Sequence, residues 1–222
     1  MPTTLAEIRN RIQSRLSEPI IATGWFTPDT VNIYINDAIR FVFQKIVAAN
    51  PDYFGLRTTQ VTTQDGVKEY TVPIDAFEIR YLEIDNGGIK QKLQEATFEQ
   101  RWPEINKGFP RVYYWMTDYT NPSTDPATKI GLIPTPDGQY NINIWYIPRP
   151  RKLVNDSDTI DMPDEVVDIV VPLATAYALK SDKQAAQQEE AEFQVRMTQY
   201  LTFVTRGKSG GPTYVSYPYP LW

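Results

Sequence analysis

The chain has 222 residues with a net charge of −5, and it contains neither cysteine nor histidine. That composition excludes a disulfide framework, a thiolate centre, a Ser-His-Asp triad and any histidine-based metal site. Its acidic balance lacks the basic excess that drives phosphate binding, so acid–base chemistry would fall to carboxylates, Lys or Tyr, and a metal would need oxygen ligands alone.

Thr4 and Glu7 have capping-box spacing, and Leu5, Ile8, Ile12 and Leu16 form the apolar stripe of a short first helix. Residues 18–25 form a connection. The strongest helix signal follows, over Phe26–Phe54. Thr27 can cap, Pro28 fits the first helical position, and Asp29 suits the positive helix end. Phe26 and Val31 are spaced as a hydrophobic staple. Val31, Ile35, Ala38, Ile39, Val42, Phe43 and Ile46 recur at three and four residues, and Asn50-Pro51 ends the run. The other parts are expected to pack on this helix.

After Pro51 the pattern turns to β. Asp65-Gly66, Asn86-Gly87 and Asp137-Gly138 are hairpin-turn signals. Strand-like runs lie at 56–63, 67–72, 77–84, 110–116, 127–133 and 139–147, the last two read as one hairpin. The apolar parity switches between Tyr81 and Leu82, which suggests a bulge or a strand buried on both faces. A short helical turn is expected at 97–102.

Pro163-Asp164-Glu165 opens a second helical region with Val166, Val170, Leu173 and Tyr177 as its stripe and Pro172 as a kink. A break falls near residues 180–182, with Asp182 able to cap. A last helix carries Phe193, Met197, Tyr200 and Val204, and Gly207 ends it. The expected class is α+β: a helical bundle interrupted by a β-hairpin-rich insertion. The expected divisions are 1–55 (first helices), 56–150 (β insertion), 151–206 (closing helices) and 207–222 (an extended tail).

The tail is a Gly/Ser hinge followed by an aromatic–proline ribbon. Pro218 and Pro220 forbid a helix. Tyr214, Tyr217, Tyr219, Leu221 and Trp222 carry too much apolar surface to leave in water. The ribbon docks on a neighbouring chain, folds back on its own domain, or stays disordered. A hinge before an aromatic strip suits the first. Tyr214, Tyr217, Pro218, Tyr219, Pro220, Leu221 and Trp222 are therefore the candidate interface residues.

Other constellations have plainer readings. Asp182, Glu189, Glu190 and Glu192 read as a solvated acidic face. Asp156, Asp158, Asp161 and Asp164 resemble a calcium loop without its glycine and closing glutamate. Arg149, Arg151 and Lys152 form a short basic patch in a loop. The aromatics of Val112–Trp115 could stack sugar rings or bases, but read better as sheet core. No catalytic residue, cofactor site or metal site is predicted, and no apolar run is long enough to span a membrane. With no charged-then-apolar leader at the start, a cytoplasmic product is expected.

Four segments together resemble the head–tail adaptor (connector, or head-completion) proteins of tailed bacteriophages: Trp25–Arg40, KEYTVPIDAFEI at 68–79, GLIPTPDGQYNINIWYIPRP at 131–150, and DTIDMPDEVVDIVVPLATAYAL at 158–179. The resemblance implies a structural virion protein rather than an enzyme. It implies a ring of neighbouring copies, typically twelve, between the portal protein and a tail or nozzle protein at the head–tail junction. Genomic DNA would pass through the channel without specific binding. The C-terminal segment would reach the portal or an adjacent subunit. The β region is large for this family. The rival readings are a tail-associated binding module that uses the aromatic β region on a glycan or another tail protein, and a carboxylate-pair hydrolase for which no pairing is visible.

Overall fold

The computed structural model describes residues 2–97, 99, 106–118, 127–182 and 184–206. The ends of the first two helices are chemically conventional. Helix α1 spans Leu5–Gln13; Glu7 N–H donates to Thr4 Oγ1, and Thr4 N–H donates to the Glu7 carboxylate at 2.8 Å. Leu16 falls beyond the helix yet is buried with Leu5, Ile8 and Ile12. Helix α2 spans Pro28–Ala49, capped by Thr27, whose hydroxyl accepts from Thr30 N–H. Phe26 and every position of the expected α2 stripe are buried, and Asn50 leaves the helix in an extended conformation.

The chain divides into two compact units. The described residues up to 53 and from 150 onward belong to one, and those from 54 to 149 to the other. The helical unit has a second central helix besides α2. Helix α3, Val167–Ser181, follows a 3-10 turn at Asp164–Val166 and packs against α1, α2 and α4, where α4 is Gln187–Arg206. The predicted stripe is a small part of its buried surface. Val167, Ile169, Val170, Val171, Pro172, Leu173, Ala174, Thr175, Ala176 and Ala178 are all buried. Helix α2 touches α1, α3 and α4, as expected, and α3, apolar on nearly every face, shares the middle of this unit with it. The helix runs unbroken through Pro172. Asp182 caps the C-terminal end of α3, and its carboxylate accepts from Gln184; α4 begins only at Gln187.

One buried polar residue lies on the α2 face. Asn36 donates Nδ2–H to Leu153 C=O at 2.9 Å, and its Oδ1 accepts from Leu153 N–H at 2.8 Å. The same amide nitrogen donates to Asn32 C=O. The side chain thus completes both backbone groups of a buried residue in the segment leading to α3, which would otherwise sit unpaired.

The β unit holds two four-stranded sheets. The first has the order β1-β8-β3-β4, where β1 is Arg57–Thr62, β8 Asn141–Pro148, β3 Ala76–Asn86 and β4 Ile89–Lys92; all its pairings are antiparallel. The second has the order β2-β7-β6-β5, where β2 is Glu69–Thr71, β7 Ala127–Ile133, β6 Val112–Asp118 and β5 Gln94–Glu95; β5 joins β6 in parallel. Tyr70, Leu82, Tyr113, Ile130, Leu132, Ile142 and Ile144 from both sheets share one core. The class is therefore α+β, as expected.

Only one of the three turn signals makes a hairpin. Gly87 and Gly88, both at positive φ, close a two-residue loop with Asn86 opposite Ile89. The expected hairpin of 127–133 with 139–147 does not form, since β7 and β8 lie in different sheets. Likewise β1 and β2 part company after Asp65-Gly66. These two turns are corners between the sheets, and Thr63, fully buried, ties them together. Its N–H donates to Tyr140 C=O, its hydroxyl donates to Gly138 C=O, and the same oxygen accepts from Tyr140 N–H, each at 2.8 Å. The parity switch in β3 is a bulge: the register slips by one residue between Ile79 and Tyr81 against Tyr146 and Trp145. The helical turn expected at 97–102 lies almost wholly outside the described residues.

In the second sheet, the Tyr114 ring lies over Gly131, its cross-strand partner. A Cβ on residue 131 would overlap that ring. G131A should therefore cost about 1–3 kcal/mol by forcing a buried tyrosine to move, measured by urea unfolding at neutral pH. N36A should cost about 3 kcal/mol, because two backbone groups of Leu153 lose their partner; a loss under about 0.5 kcal/mol in the same assay would contradict the clamp.

Candidate protein interface

The predicted interface residues, Tyr214, Tyr217, Pro218, Tyr219, Pro220, Leu221 and Trp222, lie outside the described residues. The described surface nearest to them in sequence is the end of α4. Its buried stripe is Phe193, Met197 and Val204. Beside that stripe, Arg196, Gln199, Tyr200 and Phe203 recur at three- and four-residue spacing and so share a flank. They border a groove of about 520 Å³, closed by Tyr53, Glu165, Asp168 and Ile169.

The groove is held by specific contacts. Asn50 donates Nδ2–H to Val204 C=O at 3.0 Å, which fastens the end of α2 to the end of α4. Tyr53 then meets Tyr200 edge-on, with ring centroids 6.1 Å apart and their hydroxyls at 2.9 Å. Burial, with help from the Tyr53 hydrogen bond, pushes the Tyr200 phenol well above its ordinary range, so it stays neutral. Phe203 packs at 6.2 Å from Tyr200 but remains 62 % exposed. An exposed phenylalanine beside a half-buried aromatic pair marks a surface able to receive another apolar group.

The acidic residues of α4 do not form a solvated face. Arg15 donates to Glu189 at 2.7 Å and to both oxygens of Glu192, at 2.8 and 3.1 Å. Arg196 adds a second partner for Glu192 at 2.8 Å. Arg15 follows α1, so this clamp joins the two ends of the chain's helical part. Its hydrogen bond to Glu192 raises the already high guanidinium pKa, and the same bond holds the Glu192 carboxyl below its ordinary value. Glu190 pairs instead with Lys180. A smaller cavity of about 170 Å³ beside the clamp is lined by Arg11, Arg15 and Arg196 together with Asp168. Asp168, Glu189 and Glu192 match those three cations, so the cavity is charge-balanced.

The aspartates resembling a calcium loop go to separate partners. Asp156 meets Arg9, Asp161 meets Arg151, Asp164 accepts from Thr3, and Asp158 accepts from the N–H groups of Val154 and Asn155. Among the described residues no cluster of acidic groups could hold a metal ion. Arg151 of the basic patch is thus matched in part by Asp161. Tyr113 and Tyr114 are buried in the sheet core, and burial with Glu95 nearby pushes the Tyr113 phenol up to about 12. The more accessible pair, Tyr81 and Trp145, stack on each other at 5.7 Å, while Lys92 lies over the Tyr81 ring. Trp115, on the same strand as Tyr113 and Tyr114, is partly buried and packs against that core. The groove was missed by sequence reading because its walls come from residues 53, 165–169 and 196–203, each unremarkable alone.

A family model described as SU10 adaptor protein matches residues 3–215. No curated protein matches the chain.

The Arg15 clamp sets an acid limit. A depressed carboxylate stabilises the fold above its unfolded pKa of about 4.5, and that contribution is lost as pH falls through the lower folded value. Asp158 and Asp164, also lowered by backbone N–H donors, act in the same direction. Thermal melts should be flat from pH 7 to about 5 and fall below about 4.5. E192Q should lose about 1 kcal/mol at pH 7 and progressively less below pH 4.

Proposed function

From the chain's membership of the SU10 adaptor protein family, a family of phage structural adaptors to which it belongs by a match over residues 3–215, we propose that it is the head-to-tail adaptor of a tailed bacteriophage. In this reading copies pack side by side as a closed, heterologous ring of about twelve subunits beneath the portal protein. The ring extends the DNA channel and presents a platform to a tail or nozzle protein. The protein is made in the host cytoplasm and ends in the virion at the head–tail junction. Among the described residues no helix is long and apolar enough to cross a membrane.

The family match carries this conclusion, and the chemistry of the chain supports it. A net charge of −5 suits a channel wall that lets DNA slide without gripping it. Glu189, Glu192 and Asp158, from the two acidic stretches of the sequence, are engaged in ion pairs and backbone hydrogen bonds. Tyr113 and Tyr114 of β6 are buried in the sheet core and Trp115 packs partly buried against it, which speaks against the glycan-binding alternative.

The tail is assigned the anchoring role. Tyr214, Tyr217, Pro218, Tyr219, Pro220, Leu221 and Trp222 form an extended strip that binds the portal or an adjacent subunit. Native mass spectrometry with and without purified portal tests both points. The full chain should add to the portal as a ring, and a chain truncated after Gly207 should lose at least tenfold in affinity. Portal-dependent assembly that survives truncation unchanged would remove the tail from the mechanism.

A further inference from the structure

We propose that the groove bounded by Tyr53, Tyr200 and Phe203 is a cis docking site for the protein's own C-terminal strip, Tyr214–Trp222, occupied in the unassembled protein and vacated when the strip reaches its partner. The inference rests on the anchoring role assigned to the tail, and it adds a specific surface and a competition.

Three observations converge on it. The first is position. The groove is walled by Gln199, Tyr200 and Phe203, in the last two turns of the helix from which the tail departs after Arg206. Along the helix axis Phe203 is about 4.5 Å from Arg206. Residues 207–213, rich in glycine and able to turn back, reach up to about 23 Å when extended. The strip can therefore return to the groove without strain.

The second is chemistry. From Ser209 to Trp222 the chain has no charged side chain, and its tyrosines and prolines alternate. Proline-rich extended segments dock on aromatic-lined grooves, where rings stack against prolines and tyrosines. Here Tyr53, Tyr200, Phe203 and Ile169 supply the apolar lining, while Glu165 at the rim is an acceptor for a tyrosine hydroxyl. Phe203, largely exposed, gains cover from such an occupant.

The third is effective concentration. A short flexible tether holds the strip near its own groove at about millimolar concentration, which exceeds what free copies offer each other in dilute solution. Cis occupancy is therefore favoured until a many-copy portal presents competing sites. The apolar strip is thereby kept from sticking elsewhere, and the portal must outcompete the groove to recruit it.

The absence of cysteine makes the test direct. Gln199→Cys and Ser216→Cys are introduced together into the full chain, and disulfide formation is followed under mild oxidation at low micromolar concentration. Phe203→Glu, at an exposed position, is combined with the same pair. The expected result is an intramolecular cross-link independent of protein concentration, at least tenfold slower with F203E. A rate unchanged by F203E, or a cross-link found only between two chains, overturns the cis site. Portal binding separates the two readings. F203E alone should bind portal several-fold more tightly than the parent, because the competitor is gone, whereas truncation after Gly207 should weaken it. Equal or weaker portal binding by F203E overturns the competition even where truncation confirms the tail as anchor.

Discussion

The helical unit depends on the burial of α3 on all sides. Ten of its fifteen residues are removed from water, and each large apolar side chain so buried is worth about 1.5–3 kcal/mol. Because α3 supplies apolar surface on nearly every face, α1, α2 and α4 each need to bury only one stripe. That arrangement also explains where the polar fasteners sit. Asn36 seals the backbone at Leu153 on the approach to α3, Asn50 fastens the ends of α2 and α4, and Arg15 joins the segment after α1 to α4. Each acts at an end or an entry of the packed helices, where apolar contacts alone leave hydrogen-bonding groups unmatched.

The β unit solves a different problem. Two sheets share one core, so the chain must cross from one to the other, and it does so at the turns 65–66 and 137–138. Both turns belong to connections of six or seven residues, long enough for the next strand to leave its predecessor. The Gly87-Gly88 loop is too short for that and forces β3 and β4 to pair. Thr63 stabilises both corners with one side chain and one backbone amide, and Tyr70, through its hydroxyl bonds to Gln64 and Val67, closes the first of them from within the core.

For function, the instructive residues are the carboxylates that do structural work. Glu189 and Glu192 read as a solvated face in sequence, yet Arg15 and Arg196 consume their charge. Among its described residues the helical unit also presents an aromatic-lined groove beside the end of α4. Surfaces of that kind suit a protein whose task is to fit other proteins, which is the reading that the family match supports.

The sequence by itself determined the α+β class, the caps at Thr4 and Thr27, the stripe of α2, the stop at Asn50-Pro51 and the bulge in β3. These are local matters: a cap, a period or a parity switch is decided by residues a few positions apart, and the same few positions report it. The tertiary structure decided the rest. It placed α3 in the middle beside α2, sent β7 and β8 to different sheets, and turned an acidic face into a clamp. It also assembled a groove from three distant stretches. Arg15 and Glu192 stand 177 residues apart, as Asn36 and Leu153 stand 117 apart. No local pattern carries the identity of such partners, because they are chosen by the competition among all buried surfaces at once.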